Sequence, residues 1–231
     1  MSDIEPVTTG RSGATVVRTA GTYRKESATD DLPGEAARLT WLRERGIPAA
    51  EVLESGPGLL VTAEVPGRPA DAGWPPEARD RVVDALAGLT RALHALPVEG
   101  CPFDRRLAVT MPAALAADVD LDDLDDERRG WTRGRLVSEL LATRPDGEDL
   151  VVCHGDLTTQ NVLIDPDTLT VAGLVDAGRL GVADRWLDLA VVTRELADDL
   201  GEEAAARYLR GCGVEPDPAK EAFYRLLDEF F

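Results

Sequence analysis

Between Val151 and Asp188 the chain reads VVCHGDLTTQNVLIDPDTLTVAGLVDAGRLGVADRWLD. This is the pattern of a strand, a tight loop, two further short strands and a closing loop. Apolar runs at Leu150–Cys153, Val162–Ile164 and Val171–Val175 bracket three polar residues, Asp156, Asn161 and Asp176. A carboxylate and an amide sit on one loop, and a second carboxylate closes the next hairpin. That set suits phosphoryl transfer: one acid takes a hydroxyl proton, and the hard oxygens of the other two residues hold Mg2+. Each of the three alone is an ordinary turn residue, since Asp and Asn are favoured in loops. Together, embedded as HGDLTTQN and VDAGR, they favour that chemistry over three ordinary turns.

The strings HGDLTTQNVLID and LVDAGRLGVADRWLDLA resemble the catalytic core of the aminoglycoside phosphotransferases, relatives of the protein kinases. GRLGVADR and the terminal AFYRLLDEFF (Ala222 to Phe231) are similar to the 3'-phosphotransferases within that family. The resemblance runs over nearly the whole chain, strongest after Glu148 and weakest before Gly34. It implies a bilobal, protein-kinase-like α+β fold: a small β-rich nucleotide-binding lobe at residues 1–65 and a larger, mostly helical catalytic and substrate-binding lobe at residues 66–231. It also implies transfer of the ATP γ-phosphoryl to the 3'-hydroxyl of a kanamycin- or neomycin-like aminoglycoside, giving resistance. In that frame Asp156 is the base, and Asn161 and Asp176 coordinate Mg2+. Arg179 holds Asp156 or steadies the transferred charge; read alone, Arg179 is a surface ion pair with Asp184. VDAG lacks the aromatic of the protein-kinase DFG motif, which argues against protein-kinase style regulation.

Composition agrees with that expectation. A chain of 231 residues with 44% apolar residues can bury a substantial core. Its formal net charge of −18 repels nucleic acid and anionic membranes and attracts polycations. Three cysteines, far apart and without CxxC spacing, and only two histidines suggest neither a zinc site nor a disulfide framework. The start MSDIEPVTTG has no basic region leading into an apolar run, and no stretch approaches the ~18 apolar residues of a membrane span. The expectation is a cytoplasmic protein.

Taken in order, residues 4–33 form a glycine-punctuated β region, with strand fragments at Thr15–Val17 and Thr22–Lys25 around a turn at Ala20-Gly21. Thr9–Gly13, including Ser12, can form the loop over the nucleotide phosphates, and Lys25 can supply an ammonium to them. By itself GRSG is an ordinary hairpin turn and Lys25 a surface lysine. The next helix, Gly34 to Arg45, carries Ala37, Trp41 and Leu42 on one face and ends at Gly46 and Pro48. Glu35 suits the helix dipole in the first turn; by resemblance it pairs with Lys25. Two strands follow in Glu51–Gly67, running into a hinge where backbone groups at Ala63 to Val65 can read the adenine edge. Tyr23 matches the family's adenine-stacking aromatic and is equally at home as packing. Past the Pro- and Gly-rich boundary at Pro69–Pro76, Val82, Leu86, Leu89, Leu93 and Leu96 stripe one face of a helix. His94 beside them reads as a packed or surface residue.

The run DVDLDDLDDE (Asp118–Glu127) is by default a solvated face. The resemblance makes it the acidic substrate loop, with Asp123 and Asp126 at antibiotic-contacting positions. It assigns the same role to Asp198, Asp199, Glu229 and Phe231, the last through its carboxylate. Asp188, in the helix that starts WLDLA, is expected to tie the catalytic loop together through its backbone. Two other readings remain open at this stage: a kinase of another small cationic or hydroxylated substrate, and a non-catalytic drug-binding relative. Intact Lys25, Asp156, Asn161 and Asp176 argue against the second, since a binding module has no need of a base.

Overall fold

The structure, a computed structural model, describes residues 4–7 and 14–231, the first of these stretches by its backbone alone. The first layer is a five-stranded antiparallel sheet. In chain order it contains β1 (Ile4–Val7), β2 (Thr15–Thr19), β3 (Thr22–Glu26), β4 (Val52–Gly56) and β5 (Leu59–Ala63), arranged β1-β2-β3-β5-β4. Strand β1, paired with β2 from Ile4↔Thr19 to Val7↔Val16, extends the β region beyond the two fragments legible in the sequence. The turn between β2 and β3 falls at Ala20-Gly21, as the sequence indicates, both with positive φ. Ser12 lies outside the described residues.

One helix, α1 (Leu32–Glu44), packs on this sheet and buries Leu32, Glu35, Ala36, Leu39, Trp41 and Leu42. It begins two residues earlier than the apolar pattern suggests, because Asp31 caps it by accepting from the Gly34 N–H at 3.0 Å. Gly46, at φ 77°, takes the left-handed conformation that ends it, and Ile47 N–H returns to Leu42 O. The chain then crosses to the second layer: Ala50 N–H and Leu174 O, and Leu174 N–H and Pro48 O, join the two at 2.9 Å each.

The larger lobe is built on two small sheets. One contains β6 (Arg68–Pro69), β8 (Val162–Ile164) and β9 (Val171–Leu174); the other pairs β7 (Leu150–Cys153) with β10 (Gly181–Asp184). Around them lie α2 (Pro76–His94), α3 (Leu107–Ala116), α4 (Arg133–Ala142), α5 (Trp186–Leu200), α6 (Glu202–Cys212) and α7 (Pro218–Asp228). The stripe on α2 is buried at Val82, Leu86, Leu89 and Leu93, and Thr90 Oγ1 meets the Tyr208 hydroxyl of α6 at 2.8 Å. Helix α5 is the hub: Trp186 through Thr193 are all buried, because α6 and α7 cover it on either side. The acid run stays irregular, anchored by buried Leu124 and Arg128. Helix α4 starts at Arg133 because the Thr132 side chain caps it by accepting from Arg135 N–H. No helix among the described residues is long and apolar enough to cross a membrane.

Candidate active site

Strand β7 delivers His154, Gly155 and Asp156 into the middle of the molecule. Asp188, in the first turn of α5 and fully buried, fixes this loop as the sequence suggested. Its two carboxylate oxygens accept the backbone N–H groups of His154 (3.0 Å) and Gly155 (2.9 Å), and His94 Nε2 approaches at 3.0 Å from α2. With both oxygens so engaged, the nearby Cys153 thiol, which donates to Asp184 O, joins a brace rather than a metal centre. His154 donates through Nε2 to Val175 O at 3.1 Å, coupling the loop to the next hairpin. Gly155 has φ +82°, and a Cβ there would fall 2.2 Å from Arg179 O, so only glycine lets the two segments approach.

Asp156 is thereby presented with its carboxylate partly open. Asn161 Nδ2 donates to Asp156 O (2.9 Å) and Oδ2 (3.1 Å), and Arg179 Nη1 donates to Oδ1 at 3.4 Å. Arg179 is not spent on Asp184, whose oxygens are taken by Lys220 and by the N–H groups of Asp149 and Trp186. The Asn161 amide donates in both of its bonds, which leaves its oxygen without a partner among the described residues.

On the nucleotide side, Lys25 Nζ lies 3.0 Å from Glu35 Oε2 and 2.9 Å from Asp176 Oδ1. Burial pulls the lysine pKa down, but the two carboxylates outweigh it and the net shift is upward. Burial pushes Glu35 up despite Lys25 beside it. Asp176 stands at φ 56°, in the left-handed region, with about half its side chain exposed. Val175 N–H donates to Asn161 O at 3.1 Å, so the segments that carry Asn161 and Asp176 run side by side. Two hard oxygens from an amide and a carboxylate, beside a fixed ammonium, are the donor set a magnesium nucleotide takes.

Beyond Arg179 the charges alternate across the molecule. Arg179 Nη1 is 3.7 Å from Asp228, Asp228 is 3.4 Å from Arg194, and Arg194 is 2.5 Å from Asp125 of the acid run. Burial raises the Asp228 pKa against the pull of Arg194 and Arg179. Glu229 pairs with Arg128 at 3.2 Å and accepts from Asp125 N–H, and burial raises it too.

The residues singled out in the sequence thus fall into three places. Lys25, Glu35, Asp156, Asn161, Asp176 and Arg179 converge. Tyr23 on β3, Ala63 at the end of β5 and Val65 just beyond it are all half-buried; Ala63 N–H is bonded to Glu51 O, and the Val65 side chain packs on Gly173. The third group is divided: Asp123, Asp126, Glu229 and Phe231 lie in the acid run and just after the chain's last helix, whereas Asp198 and Asp199 lie beside Asp71. Asp123 and Asp126 are exposed, Asp126 pairing with Arg129, while Asp198 and Asp199 are exposed near the end of α5, where burial first and then Asp71 and Asp198 raise Asp199. The Phe231 ring lies 5.5 Å from the Arg179 guanidinium. Sequence reading passed over Asp125, Arg194 and Asp228; the one available signal was a cation set inside the apolar run AVVTREL.

Fold and site together make this a phosphotransferase with the two-lobed, protein-kinase-like architecture. The chain belongs to the phosphotransferase enzyme family whose model matches residues 4–224. It is 52% identical over 219 residues to the aminoglycoside 3'-phosphotransferase of Streptomyces fradiae, which covers 89% of this chain and 82% of that one. Among solved structures it superposes on an aminoglycoside 3'-phosphotransferase of type VIII with a TM-score of 0.91 at 50% identity, covering 100% of this chain and 94% of the other. It also matches an aminoglycoside phosphotransferase of Streptomyces rimosus solved with ADP and streptomycin, at TM-score 0.85 and 33% identity, over 98% and 92% of the two chains.

Proposed function

We infer that this protein transfers the γ-phosphoryl of ATP to the 3'-hydroxyl of a kanamycin- or neomycin-like aminoglycoside and so confers resistance. The observation that carries the reading is the Asp156 carboxylate, held by Asn161 and Arg179 at one end of a site whose other end is the Lys25–Glu35–Asp176 cluster. Lys25 is held charged by two carboxylates, ready for the α- and β-phosphates, while Ser12 and the hinge at Ala63 to Val65 take the remaining nucleotide contacts and Tyr23 stacks on adenine. Asn161 and Asp176 would hold Mg2+, which when bound neutralises charge on the phosphates. Asp156 accepts the 3'-hydroxyl proton as its oxygen attacks in line, and Arg179 keeps the carboxylate aimed. The carboxylates at Asp123, Asp126, Asp198, Asp199 and Glu229, with residue Phe231, receive the ammonium groups of the drug. We place the lobe boundary between residues 65 and 66, and the reaction in the cytoplasm, where ATP is available.

ADP release with Mg-ATP, measured across an aminoglycoside panel that includes a 3'-deoxy member, tests this. Release with kanamycin-like drugs, absent for the 3'-deoxy compound and lowered by roughly 10² to 10⁴-fold in Asp156→Ala, is expected. Release that survives 3'-deoxygenation, or occurs with streptomycin alone, would overturn the regiochemistry. No release with any drug from the folded protein would overturn the substrate class.

A further inference from the structure

Arg105 is a cation with no evident structural duty. It lies in the segment joining α2 to α3, and its backbone N–H donates to Val182 O at 2.8 Å. Its neighbour Arg106 is exposed and paired with Asp104, as surface arginines usually are. Arg105 instead turns inward over Gly181, where a Cβ would lie 2.7 Å from its Cγ; the absence of a side chain there opens its path. The guanidinium ends against the Phe231 ring, 5.3 Å from the centroid. Its Nε is buried without a hydrogen-bond partner, and no carboxylate pairs with it among the described residues. Burial, then the charges of Arg179 and Arg38, outweigh the attraction of Asp156 and bring its pKa down to about 10. A desolvated cation beside two others is a cost that the core does not require.

What compensates is the face of an aromatic ring, and Phe231 is held by two of them: Arg105 at 5.3 Å and Arg179 at 5.5 Å. Arg179 is the residue that also touches Asp156. We propose that Arg105 is a positioning residue for aminoglycoside recognition, clamping Phe231 together with Arg179 so that the residues after α7 are set against the base. This rests on the functional reading above, in which Phe231 borders the drug. The ring gives the clamp its strength without a hydrogen bond, which fits the unpartnered Nε.

The experiment compares Arg105→Met, which keeps the stem and removes the charge, with Arg105→Lys, Phe231→Leu and the Met/Leu double variant. Arg105→Met should raise the aminoglycoside KM roughly two- to thirtyfold, the span of a cation–π contact, with the ATP KM and the melting temperature unmoved. Arg105→Lys should recover part of the loss, and the double variant should be no worse than Phe231→Leu alone. Multiplying effects, or an equal rise in the ATP KM, would overturn the clamp. Hydrogen exchange of residues 223–231 gives a readout free of turnover: exchange should quicken in Arg105→Met, and unchanged protection would overturn the proposal. Quickened exchange without turnover of any aminoglycoside would leave the clamp standing and overturn the substrate reading instead.

Discussion

Lys25 serves two carboxylates that differ in freedom. Glu35 is 7% exposed and Asp176 is 48% exposed, so the first is a fixed partner and the second can turn toward an arriving cation. Asp228 is the opposite case, a carboxylate whose charge the fold resists. Its raised pKa means that the native state keeps a proton which the unfolded chain, near 3.8, has already released. Between those two values the native state binds more protons, so stability falls as pH rises through the window. Asp228→Asn, neutral at every pH, should flatten that part of the curve in thermal unfolding as pH rises above about 4; equal slopes for both proteins would contradict the assignment. Asp156, Asn161 and Asp176 were legible in the sequence because each stands in a short loop whose neighbours announce it. Arg194 was not, because its partner Asp125 is 69 positions away and only packing brings them together.

At the scale of elements, α1 matters because it carries Glu35 one turn from its start. Asp31 sets that start, and its removal should cost about 1 kcal/mol of stability. Asp31→Ala should therefore lower the melting temperature by a few degrees and raise the ATP KM, with the aminoglycoside KM less affected; an unchanged ATP KM would show that Glu35 is placed by packing alone. Helix α2 was readable from apolar spacing, since it has one face to the core, whereas on α1 the spacing found Trp41 and Leu42 but also took Ala37, which is exposed while Ala36 and Leu39 are buried. Helix α5 was placed at WLDLA by the sequence as well, although with both sides covered its burial spreads beyond a single stripe. Strand β1 carries no alternation long enough to announce itself, and its identity comes from pairing with β2.

For the molecule as a whole, the net charge of −18 acts oppositely on the two substrates. A polycationic drug is drawn in and a polyanionic nucleotide repelled, and salt screens both over a Debye length of about 10 Å at 0.1 M. Raising salt from about 0.05 to 0.5 M should therefore increase the aminoglycoside KM while leaving the ATP KM level or lower. A parallel rise in both would place the attraction in local pairs rather than in the overall field.

The Asp188 carboxylate, shared by two loop amides and a histidine from α2, has a bearing on how the enzyme comes into being. Loosening the loop would strand a buried charge, which costs several kcal/mol, so the loop has no inexpensive way to fray by itself. During synthesis the peptide around Asp156 emerges before Asp188, the residue that anchors it, so a nascent chain that has not reached α5 cannot yet fix this loop. The loop is therefore fixed no earlier than the docking of α5 onto it.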